Sequence, residues 1–151
     1  MEERLVSEYI GKDADKFMDG KTNWTAAILG QAIGPVWFFF RKSYLLGFAF
    51  LVVTYIVGSI ASAMKLKEAS YIMFFIYLFT ANKLYLWDVR RKVNKIASSG
   101  YASDEELIST VREKGGTSTV AAVIYVVAFI AYMAFIMVAM FSAMNALMSI
   151  K

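Results

Sequence analysis

The sequence contains no cysteine and no histidine. The first absence excludes disulfides, thiol nucleophiles and thiolate metal ligands; the second removes imidazole ligands and the most frequent general base near neutral pH. Charge is also scarce. Asp, Glu, Lys and Arg make up 19% of the residues, and although the formal net charge is +4, no soluble basic face is large enough to take nucleic acid. The single proline, Pro35, follows Gly34 inside an apolar stretch, where it removes a backbone donor and bends the chain. The first twenty residues are charged throughout and lack an apolar h-region, so they do not read as a cleavable signal peptide.

What the chain has in excess is apolar sequence, 59% of it, gathered into long runs. Residues 43–64 form a full-length transmembrane segment, 69–87 a second and 118–150 a third that is longer than one bilayer thickness requires. Trp24 to Phe40 is also uncharged, but only Arg41-Lys42 separates it from the next run, too little chain to turn one spanning helix into another. Residues 23–42 therefore read as a re-entrant or interfacial segment with an elbow at Gly34-Pro35. Trp24, Trp37 and Tyr44 suit a headgroup belt and Arg41 and Lys42 a cationic anchor.

The sequence thus predicts an all-α integral membrane protein: three transmembrane helices, a re-entrant or interfacial helix broken at Gly34-Pro35, and short amphipathic cytoplasmic helices. Residues 1–22 supply one of these, with Leu5, Val6, Tyr9 and Ile10 at helical spacing. Asp13, Asp15 and Asp19 do not make a calcium loop, because Met18 stands where the loop needs glycine and Trp24 where it needs glutamate. Residues 88–117 supply the rest. Leu86, Val89, Val93 and Ile96 share one face, with Arg90, Arg91, Lys92 and Lys95 on the others, a pattern that attracts anionic headgroups. Ser103 to Glu106 is a capping box opening a further short helix that Gly115-Gly116 ends.

Small residues at four-residue spacing mark candidate helix-packing faces: Gly30 and Gly34, Gly58 and Ser62, Ala139 and Ala143. A stripe of methionines from Met133 to Met148 is flexible apolar filler. Lys and Arg collect on the cytoplasmic side of membrane proteins. With 23–42 not crossing, thirteen fall on one side and three on the other; with it crossing, the division is nine to seven. The first threading gives three spans with a cytoplasmic N-terminus.

The stretch Asn23-Trp24-x-Ala26-Ala27, then Gly34-Pro35-x-Trp37-Phe38-x-x-Arg41-Lys42-x-Tyr44, resembles the signature of a family of small bacterial multi-pass membrane proteins known only as a domain of unknown function. Tyr9-Ile10-Gly11-Lys12, Asn82-Lys83-x-Tyr85 and Gly115-Gly116-Thr117-Ser118 echo the same pattern. The resemblance implies a bacterial inner-membrane protein and transfers no activity, cofactor or metal. The carboxylates lie in linkers and helix caps that already account for them, so no catalytic, cofactor-binding or metal site is expected. A non-catalytic accessory subunit or regulator, binding anionic lipid and a protein partner or further copies of itself, is the reading the residues favour. An oligomeric channel or transporter component comes second and a membrane-interface lipid-acting enzyme third.

Overall fold

The computed structural model describes residues 1–19, 22–65 and 69–148. The linker at Gly20-Lys21, most of the loop around Lys67 and the chain end after Met148 lie outside the described residues. Those described form eight helices and no strand: α1 (Glu2–Ile10), α2 (Ala14–Met18), α3 (Trp24–Ile33), α4 (Val36–Phe40), α5 (Tyr44–Ala63), α6 (Ala69–Ala97), α7 (Asp104–Lys114) and α8 (Thr119–Met148). Three of the helices, built on α5, α6 and α8, are long and apolar enough to cross a membrane. At 1.5 Å per residue, the twenty residues of α5 give about 30 Å, one hydrocarbon thickness.

Helix α6 is the spine. Its basic half continues the apolar half without a break, because no glycine or proline interrupts residues 69–97. Helix α5 lies along its apolar part, α3 crosses its middle, and α1, α2 and α7 cover its basic end. The amphipathic pattern of α1 dictates this last contact: Leu5, Val6, Tyr9 and Ile10 are all buried in the same core as Val89, Val93 and Ile96. Helix α7 packs on α1, and Arg112 forms an ion pair with Glu8 at 2.9 Å. At its N-cap Ser103 Oγ accepts from the Glu106 amide at 3.2 Å.

The elbow falls between α3 and α4. Gly34 adopts φ +74°, which favours glycine, and Pro35 brings no backbone donor. The carbonyl of Ile33 instead accepts a 3.0 Å hydrogen bond from the Tyr125 hydroxyl of α8. A break that would leave an unsatisfied carbonyl is thereby filled from a neighbouring helix. Helix α4 is the wedge that holds α8 to the rest: Val36 and Phe39 pack against Tyr125, with the Phe39 and Tyr125 rings stacked at 4.6 Å. Beyond Phe129, nearly all the described side chains of α8 are exposed.

Candidate functional site

The polar residues that the sequence scatters over the chain meet where α3, α4 and the start of α5 join α6. Asn23 caps α3, its Oδ1 accepting from the Ala26 amide at 2.8 Å, while its Nδ2 donates to Asn82 Oδ1 of α6 at 2.7 Å. Its backbone amide donates to the Leu78 carbonyl at 3.3 Å. Both asparagines are buried. The start of α3 is therefore tied to the face of α6, six residues, or about 9 Å of helix, from Asp88.

A second cluster lies at Asp88. This carboxylate is 3% exposed; its Oδ2 accepts from Ser43 Oγ at 2.7 Å and pairs with Lys92 Nζ at 2.6 Å. Ser43 is the N-cap of α5, so the negative charge also faces the positive end of that helix dipole. The turn that delivers Ser43 is strained, with Lys42 at φ +56°. Two contacts hold it. The Lys42 carbonyl accepts from Lys92 Nζ at 2.8 Å, and Lys42 Nζ donates to the Gly115 carbonyl at 2.6 Å. Gly115-Gly116 in turn meets the end of α1, where the Gly116 amide donates to the Tyr9 carbonyl at 2.7 Å. A Cβ on Gly115 would collide with that same carbonyl. Burial pushes the Tyr9 hydroxyl up to about 12.

Arg41 forms the third cluster. Its Nη2 donates to Asp13 Oδ2 at 2.7 Å, and its guanidinium lies 4.6 Å from the centre of the Phe17 ring. Hydrogen bonds from Arg41, and then from Lys16, hold the Asp13 carboxyl below the usual carboxylate range. Asp13 of the acidic linker thus serves as the counter-ion of a buried arginine. No group of three or more carboxylates able to hold a metal occurs among the described residues.

The residues expected at the lipid interface divide. Trp24, Arg90, Arg91 and Lys95 are exposed, whereas Trp37 and Arg41 are interior, at 4% and 7% exposure. The expectation of an outward anchor fails at these two because α2 folds back over them: the Trp37 ring contacts Phe17, Phe38 and Tyr85. Lys42 and Lys92 are half-buried in the turn described above. Among the small-residue steps, Gly34 lies against the Tyr125 hydroxyl, while nothing approaches within 4 Å of the place a Cβ would take on Gly58. Ser62 and Ala139 are exposed, and the surroundings of Gly30 and Ala143 lie outside what is described.

Residues 5–91 match the family described as protein of unknown function DUF2628, more than half of the chain. The chain belongs to this family. The matched segment runs from α1 to the basic part of α6, and it contains Asp13, Asn23, Arg41, Ser43, Asn82 and Asp88, while Lys92, which pairs with Asp88, lies just beyond it. Helices α7 and α8 lie beyond it. No curated protein and no solved structure matches the chain.

Proposed function

We propose that this is a bacterial inner-membrane protein of three spans that acts without catalysis, as an accessory subunit or regulator, through helix–helix and lipid-interface contacts. The observation that carries the reading is the contrast between its two ends. At the end where residues 23–42 pack, Asn23 bonds Asn82, Asp88 bonds Ser43 and Lys92, and Arg41 bonds Asp13, as befits a scaffold. At the other, the Gly58–Ser62 face of α5 and most of α8 carry small and apolar side chains that meet no helix of the described chain. Faces of this composition let another helix approach closely.

Residues 23–42 form a re-entrant segment in this reading. In support, Asn23 at its start and Lys42 at its end both bond to α6, to Asn82 and Lys92, ten residues apart. A crossing segment would meet opposite ends of that helix. The thirteen-to-three division of Lys and Arg then puts the N-terminus and the basic end of α6 in the cytoplasm.

The test is a mild-detergent pull-down of the tagged protein, expressed at its native level, from its own membranes, read by mass spectrometry and native size. A partner in fixed stoichiometry is the expected result. A discrete homo-oligomer with no partner would favour a pore, with the open Gly58 face as its contact, and liposome flux would then decide.

A further inference from the structure

A groove of about 770 Å³ lies between α2, α3, α4 and α8, a volume within the range of small-ligand sites. Its lining changes character. Asp13, Lys16 and Arg41 are at one end; Leu29 and Ile33 of α3, Val36 of α4 and Val126 of α8 supply apolar walls. The Ser118 amide bonds the Phe40 carbonyl beside Arg41, and Val126 is eight residues, or about 12 Å, further along α8. Asn23 and Asn82 also line the groove and are already bonded to each other.

The charged end is incompletely matched. Arg41 is buried, yet its Nε has no hydrogen-bond partner among the described residues. Lys16 is exposed at the mouth and contacts Asp13 Oδ1 at 3.1 Å. Two cations against one carboxylate leave one positive charge. A buried donor without an acceptor is costly, and a carboxylate or phosphate oxygen satisfies it with a charge-assisted bond. Apolar walls leading away from that charge cover a hydrocarbon chain.

We propose that this groove binds an amphiphile with one anionic headgroup, the head on Arg41 and Lys16 and an acyl chain along Leu29, Ile33 and Val126. The inference goes beyond the docking reading and does not depend on it. The headgroup chemistry fits either an anionic phospholipid or a free fatty acid, and the two are told apart by the probe.

Native mass spectrometry of the full chain, released from detergent after titration with phosphatidylglycerol, phosphatidylcholine or oleate, tests it. One phosphatidylglycerol or one oleate per chain is expected, held at least about tenfold more tightly than phosphatidylcholine. Whichever of the two binds identifies the source. Val126→Trp, which fills the apolar end, should abolish that binding, while Val127→Trp on the exposed face should leave it unchanged. Lys16→Glu, at an exposed position, should erase the preference for the anion. Equal binding of phosphatidylcholine, or anionic binding that persists in both Val126→Trp and Lys16→Glu, would overturn the proposal.

Discussion

Asn23 does three things at once: it caps α3, bonds Asn82, and binds α6 through its own amide. Replacing Asn82 by Ala leaves the buried Asn23 Nδ2 without that acceptor, at a cost of about 1–3 kcal/mol. Asn23→Ala should cost more, because it also removes the cap, worth roughly 0.5–2 kcal/mol. Thermal unfolding of both variants and the double variant in one detergent checks this, and the double should fall well short of the sum. Asp13 makes a pH prediction. Its folded pKa is lowered by Arg41 and Lys16, so its contribution is complete above the ordinary carboxyl value of 3.8 and is lost as pH falls through the lower folded value. Unfolding temperature should therefore show no Asp13-dependent change between neutral pH and about pH 5, then a fall on further acidification that is smaller in Asp13→Asn. The carboxylate is partly exposed, so water screens the pair and the effect is modest.

At the scale of elements, two glycines separate the scaffold from the open faces. Gly115 sits where a side chain would strike the Tyr9 carbonyl, so Gly115→Ala must displace α1 from the loop between α7 and α8 and should destabilise by roughly 1–3 kcal/mol. Gly58→Ala meets open space and should leave the monomer at least as stable, since alanine favours helix by about 1 kcal/mol over glycine. Unfolding by denaturant of the two variants side by side checks the contrast. Most of the helices were legible in the sequence, although α2 lies in a stretch that reads as a polar linker. Periodicity placed α1, the capping box placed α7, and Gly34-Pro35 placed the break, because each is a local property of the backbone or of side-chain spacing. The partner of each element was less legible. Trp37 and Arg41 suit a membrane rim by residue type alone, and only the return of α2 over them puts them inside.

For the whole molecule, the prediction concerns threading. With no native cysteine, single cysteines at Ser7, Lys67, Ser99 and Ser149 report sidedness directly. Membrane-impermeant reagent applied to intact cells should label positions 67 and 149 and spare 7 and 99. Labelling of 7 or 99 would overturn this threading, and labelling of 7 together with 67, with 99 spared, would show that residues 23–42 cross.

By itself the sequence determined that the chain is helical, that three of its helices can span a membrane, that cysteine and histidine chemistry is absent, and where the proline breaks the chain. These follow from composition and local geometry, which need no knowledge of neighbours. Tertiary structure alone decided that Asn23 meets Asn82 across 59 positions, Ser43 meets Asp88 across 45, and Asp13 meets Arg41 across 28. The physical reason is that a polar side chain reads the same whether water or a buried partner satisfies it. Only packing, by removing the water, makes the choice.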